Sequence, residues 1–167
     1  EDALTGVANR RAFDQQLSVA YQQARQDGRP LCLALLDLDH FKRVNDRWSH
    51  QVGDLVLVKV AALLKTLLRD SDWVARWGGE EFAIVFTDTS LQEAIEICQR
   101  LRLAISRLDF APEAPQLQVT ASIGLAMQNQ SDSYDRMLSL ADQQLYLAKD
   151  LGRDRVCYQT PAEDAGA

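Results

Sequence analysis

The stretch that most constrains this fold runs Trp73-Val74-Ala75-Arg76-Trp77-Gly78-Gly79-Glu80-Glu81-Phe82-Ala83-Ile84-Val85-Phe86. Its flanks are β-branched and aromatic, as strands prefer, and Gly78-Gly79 suits a two-residue hairpin turn with φ above zero. Two acidic residues follow that turn at once. A hairpin gains nothing structural from adjacent carboxylates that repel one another, so Glu80 and Glu81 are candidates for chemistry.

The remaining elements follow from periodicity and breakers. Asn9 is placed to cap a helix that buries Phe13, Leu17, Ala20, Tyr21 and Ala24, ending near Gly28-Arg29-Pro30. Leu31 to Leu36 reads as a buried strand ending at Asp37, followed by a short helical or looped piece through Val44 and Asn45. Gly53-Asp54 then introduces a long helix, Leu55 to Leu68, apolar on nearly every side and so expected to be deeply packed. Beyond the hairpin, Ala94, Ile97, Cys98, Leu101, Ala104, Ile105 and Leu108 mark an amphipathic helix, and Pro112 and Pro115 a loop. A strand from Val119 to Ala126, a helix from Tyr134 to Leu151 and a short strand from Arg155 to Tyr158 complete the plan. The fold class is α/β (α+β), a mixed central β-sheet surrounded by helices. One domain is expected over 1–160, with a frayed tail over 161–167.

Composition narrows the function classes. With 167 residues, 47% hydrophobic and 25% charged, the chain can bury one complete core. A net charge of −6 argues against a non-specific grip on nucleic acid or on an anionic membrane, but not against a nucleotide accompanied by a cation. Cys32, Cys98 and Cys157 have no paired spacing and read as buried free thiols. No apolar run is long enough to span a membrane and no signal peptide opens the chain. Its first residues look like domain interior, so a segment of a longer cytoplasmic protein is expected, with membrane anchoring through an upstream region left open.

If the strand ending at Asp37 neighbours the hairpin, three carboxylates meet at one sheet end. Carboxylate and carbonyl oxygens are what Mg²⁺ prefers, and Lys42 adds a cation suited to phosphate, as phosphoryl transfer requires. The plainer alternative has Asp37 capping the next helix and the glutamates solvated.

The sequence resembles the GGDEF family of diguanylate cyclases, whose signature is here Gly78-Gly79-Glu80-Glu81-Phe82. The likeness runs from Asp2-Ala3-Leu4-Thr5-Gly6, through Asp37-Leu38-Asp39-His40-Phe41-Lys42 and Ala121-Ser122-Ile123-Gly124, to Ala148-Lys149-Asp150-Leu151-Gly152-Arg153. It implies a fold related to the nucleotidyl-cyclase and polymerase palm, and condensation of two GTP into cyclic di-GMP and two pyrophosphates. By position it implies Asp37, the Leu38 carbonyl and Glu80 as ligands of Mg²⁺, with Mn²⁺ as a substitute. Glu80 would help deprotonate the ribose 3′-hydroxyl, with Glu81 beside it. Lys42, the amides of Phe41 and Lys42, and Lys149 and Arg153 would bind phosphates. Asn45 and Asp54 align with guanine-contacting positions, and a carboxylate accepting N1–H and N2–H of guanine selects GTP over ATP.

Two nucleotides must exchange 3′-hydroxyls and α-phosphates, so a C₂ homodimer under an upstream regulatory or sensor domain is expected. Arg69-Asp70-Ser71-Asp72 resembles the family's inhibitory product site, with Arg100 as a second arginine contact. The alternative there is an ordinary charged connection between helix and strand. Two departures stand out: Glu80 where the family's signature has Asp, and Ser49 where it usually has glycine, with a shifted backbone near Asn45 and Asp54 expected from the second. The competing function is a non-catalytic module sensing GTP or cyclic di-GMP. Asp54 speaks against mixed base specificity, and the absence of a basic groove against a polymerase.

Overall fold

A computed structural model of the chain describes residues 1–160; the expected tail, 161–167, lies outside them. Among the described residues five α-helices and five strands follow in the order α1 (Arg10–Asp27), β1 (Leu31–Leu38), α2 (Phe41–Arg47), α3 (His50–Leu67), β2 (Trp73–Gly78), β3 (Glu81–Thr87), α4 (Leu91–Ser106), β4 (Ala121–Met127), α5 (Tyr134–Asp150) and β5 (Arg155–Tyr158), with a 3₁₀ turn at Gln128–Gln130. The strands form one mixed sheet in the order β2-β3-β1-β4-β5. All neighbours are antiparallel except β4 and β5, which α5 connects in parallel.

Central β1 is covered on both faces, which is why its apolar run is unbroken. Cys32, Ala34, Leu36 and Leu38 face a core shared with α3 and α4. Leu31, Leu33 and Leu35 face a second core with Phe13 and Leu17 of α1 and Met137, Ala141 and Leu145 of α5. Asp37 continues this second series, because alternate residues of a strand share a face. A strand that is apolar for six residues thus ends by pointing a carboxylate toward α5.

Gly124 makes that approach close. A Cβ there would fall 2.2 Å from the Leu145 nitrogen and 2.4 Å from the Ala141 oxygen, so α5 lies with its backbone directly on β4.

Four expectations need correction. The strand β1 runs past Asp37 to Leu38. The helix α3 begins at His50, and Ser49, not Gly53 or Asp54, is its cap: the Ser49 hydroxyl accepts from the Val52 amide at 3.1 Å. Its backbone is extended (φ 171°), a conformation open to any residue, so serine in place of glycine adds a cap there. Nor is α3 buried all round; only Gly53, Val56, Leu57, Val60, Ala61 and Leu64 are, while Val58 and Leu67 are exposed. Of the three free cysteines, Cys32 and Cys98 are buried but Cys157 is only half-buried. Among the described residues, no helix is long and apolar enough to cross a membrane.

Candidate active site

Strand register brings the acidic residues together. Asp37 of β1 pairs with Glu81 of β3 on one side and Ser122 of β4 on the other, at the end of the three central strands. The turn residues are Gly79 and Glu80, not Gly78 and Gly79; Gly78 is the last residue of β2 and pairs with Glu81 after an irregularity at Arg76. Neither glycine has positive φ. A Cβ on Gly79 would meet nothing within 4 Å, and on Gly78 only the Glu81 carboxylate at 3.9 Å. The fold itself therefore does not demand glycine at this turn.

The turn is held from three sides. Arg76 Nε donates to the Gly79 carbonyl at 3.0 Å, and Arg76 Nη1 lies 3.4 Å from the Asp2 carboxylate, which accepts from the Thr5 amide and hydroxyl. Trp77 packs edge-on to Phe13 and under the Arg10 guanidinium, 4.2 Å from the ring centre. The Leu38 amide donates to the Glu80 carbonyl at 3.2 Å, fixing the turn against the end of β1.

Asp37 is the electrostatic focus. Its side chain is 5% exposed and its Oδ1 accepts from Lys149 Nζ at 2.9 Å, a contact that α5 can make because Gly124 lets it sit so low. Burial pushes the Asp37 carboxyl up to about 7; Lys149 pulls against this, and the neighbouring Glu80 and Glu81 carboxyls add to it. Asp37 does not cap α2, since His40 occupies that position with φ 55° and no side-chain hydrogen bond to the helix.

The other expected residues fall into separate groups. Phe41 and Lys42 open α2, with Lys42 exposed. Asn45 lies against Gly53 of α3, where a Cβ would strike the Asn45 amide oxygen; glycine is what allows the two helices to meet beside Asp54. That close approach, rather than helix initiation, accounts for Gly53. Arg153 lies beyond the end of α5 and is exposed.

Arg69 and Asp72 form a complete ion pair of their own. Arg69 donates to Asp72 from its amide, Nε and Nη2 at 3.0, 3.2 and 3.0 Å, and Nη2 also reaches the Thr87 carbonyl and Thr89 hydroxyl. Asp72 is buried, so both of its oxygens are taken by this arginine. Arg100 of α4 borders a small cavity of about 40 Å³ with Leu67, two residues before Arg69.

Asp39 is a residue that the sequence reading passed over. It is buried and accepts from the Thr120 hydroxyl at 2.8 Å, the Ser122 hydroxyl at 2.7 Å and the Asp154 amide at 3.0 Å. Only its apolar neighbours hinted at burial; its partners lie more than eighty residues away.

Asp37, Glu80 and the Leu38 carbonyl offer hard oxygen donors, which suit a divalent cation, and the raised Asp37 carboxyl shows an acid whose surroundings under-compensate its charge. Among the described residues no three acidic, histidine or cysteine side chains form a ready-made metal cluster, so main chain, water or ligand would complete the shell.

The mixed sheet and its helices define an α+β domain that carries an acid-and-cation cluster at the end of its central strands. The family model for the diguanylate cyclase GGDEF domain matches residues 1–155, and the chain belongs to this family. It is 41% identical over 155 residues to the diguanylate cyclase DgcP of Pseudomonas aeruginosa, covering 93% of this chain but 23% of that protein. Among solved structures it is similar to the GGDEF domain of DgcB from Caulobacter crescentus in complex with c-di-GMP (TM-score 0.89, 36% identity, 94% of each chain). It is also similar to the active GGEEF domain of a diguanylate cyclase from Vibrio cholerae (TM-score 0.87, 28% identity, 93% of this chain and 99% of that one).

Proposed function

We propose that the domain over residues 1–160 condenses two GTP into cyclic di-GMP. Family membership supports the reaction class, and the observation that supports the assignment of residues is the Asp37–Glu81 register, which brings the hairpin acids to an aspartate that also contacts Lys149. In each half-reaction a ribose 3′-oxygen bonds to the α-phosphorus of the other nucleotide. The bond from that phosphorus to the β-phosphate oxygen breaks, and pyrophosphate leaves. Asp37, the Leu38 carbonyl and Glu80 would hold Mg²⁺ or Mn²⁺, which would supply charge neutralisation and a lowered hydroxyl pKa.

The chain's own groups do the rest. Glu80 accepts the 3′-proton, with Glu81 at its side. Lys149, which contacts Asp37 at 2.9 Å, neutralises charge on the phosphates. Lys42, the Phe41 and Lys42 amides, and Arg153 hold the triphosphate. Asn45 and Asp54, brought together by Gly53, contact guanine. Adenine would leave Asp54 facing an acceptor, which disfavours ATP.

Two sites must face each other, so the active form is a C₂ homodimer. Cyclic di-GMP acts as inhibitor through Arg69, Asp72 and Arg100. Because Arg69 saturates Asp72, the product either takes the outer edge of that guanidinium or displaces it from Asp72.

The test is incubation with GTP and Mg²⁺, followed by mass detection of cyclic di-GMP, with a Glu80→Gln sample beside it. Product in the unmutated sample alone supports the reading. Silence from both, persisting in a dimerising fusion, contradicts it and favours a sensing module.

A further inference from the structure

We propose that Asp39 and Arg102 are positioning residues that fix Arg153 through Asp154, an inference that rests on the reading of Arg153 as a phosphate-binding residue. The backbone after α5 is unusual. Gly152, Arg153 and Asp154 have φ of 120°, 65° and 47°, three left-handed residues in succession, two of them bearing a Cβ. Such a run is disfavoured unless its surroundings impose it.

Four contacts impose it here. The Arg153 amide donates to the Ala148 carbonyl at 2.9 Å, and the Arg153 carbonyl accepts from Arg155 Nε at 3.0 Å. The Asp154 amide donates to Asp39 Oδ2 at 3.0 Å, and the Asp154 carboxylate accepts from Arg102 Nη1 of α4 at 2.8 Å.

Arg153 is thus clasped through its own peptide groups and through the residue after it, while its guanidinium has no ion-pair partner among the described residues. The anchors are themselves fixed. Asp39 is buried and accepts from Thr120 and Ser122 of the chain entering and forming β4. Arg102 is mostly buried, at 19% exposure, and its Nε is held by Gln99 at 2.9 Å.

The two acids at the end of β1 divide the work: Asp37 grips the side chain of Lys149, and Asp39 grips the backbone next to Arg153. Both cations are thereby referred to one strand. An exposed arginine pays side-chain entropy whenever it binds, and a fixed Cα reduces the volume that it must search.

The experiment is calorimetric titration of the intact chain with a non-hydrolysable GTP analogue and Mg²⁺. Arg153→Ala should weaken binding about thirtyfold, the worth of a charged hydrogen-bonded contact. Arg102→Ala should weaken it about fivefold, with Arg102→Lys recovering most of that, and should add nothing in an Arg153→Ala background. Asp39→Ala should cost about tenfold, whereas Asp39→Asn, whose amide oxygen still accepts from Asp154 and whose nitrogen can donate to Ser122, should stay within about twofold of the unmutated chain. Unchanged affinity in Arg153→Ala would overturn the phosphate role of Arg153 itself. A weakened Arg153→Ala beside an unaffected Arg102→Ala, or effects of the two that multiply in the double variant, would overturn the positioning. Arg102 meets a half-exposed Asp154 carboxylate, so this outcome is readable even if Asp39→Ala fails to fold.

Discussion

Asp37 and Asp72 are both buried aspartates beside a basic residue, yet their surroundings differ. Asp72 receives three N–H groups from one arginine, so each of its oxygens is satisfied without any outside group. Asp37 receives one lysine contact, and burial, with a smaller push from the two neighbouring acids, raises its carboxyl to about 7. A buried charge that is fully paired steadies the fold by itself, and any ligand there must compete with that pairing, whereas one left under-compensated gains from a bound cation. The first arrangement pins the start of β2 to the end of α3. The second leaves the end of the sheet short of positive charge, which a divalent cation carrying phosphates would supply.

The strongest break of this contrast is Asp72→Ala. It removes three hydrogen bonds, one of them from the Arg69 amide, while Arg69 keeps Thr87 and Thr89, so stability should fall by about 3 kcal/mol in urea unfolding. Asp37→Asn should act in the opposite direction. The Asp37 carboxyl ordinarily titrates at 3.8 and is raised to about 7 in the fold, so the folded chain binds a proton that the unfolded chain has lost. Its stabilising contribution is complete below pH 3.8 and is lost as pH rises through 7. Above pH 7, without divalent cations, the asparagine variant should therefore melt about 3 °C higher than the unmutated chain, and the gap should close toward pH 4.

Gly79→Ala carries the contrast to the turn: stability should change by less than about 0.5 kcal/mol, since a Cβ meets nothing there, while cyclic di-GMP formation falls more than about tenfold. Unimpaired turnover would mean that the glycine serves neither fold nor ligand. The smallest effect is Ser49→Gly, expected to cost a few tenths of a kcal/mol, about what exchanging one helix cap for another does.

Sequence patterns foretold local features well. The cap at Asn9 and all five buried residues of α1 stand where the spacing put them, because helix caps and apolar periodicity act within a few residues. The sheet class followed from apolar runs and turn signals, whereas the meeting of β1 with the hairpin stood only as a condition that the strand register meets. The exact turn did not: Gly78-Gly79 and Gly79-Glu80 differ by one residue, and an irregularity at Arg76 decides between them. The start of α3 was obscured because polar His50 and Gln51 separate the Ser49 cap from the apolar series.

Within the candidate site, acid positions were legible as motif residues, but the partners that define them were not. Lys149 reaches Asp37 because Gly124 admits α5, and Asp39 meets Asp154 only once five strands are assembled. Such contacts span more than a hundred residues and leave no periodic trace.

Under the proposed function, the end of β1 would hold a divalent cation. The most direct test is thermal unfolding at pH 8 with GTP, comparing Mg²⁺ with none, in the unmutated chain and in Asp37→Asn. Mg²⁺ should raise the melting temperature of the unmutated chain and leave Asp37→Asn unmoved. An equal rise in both, or in neither, would contradict that reading.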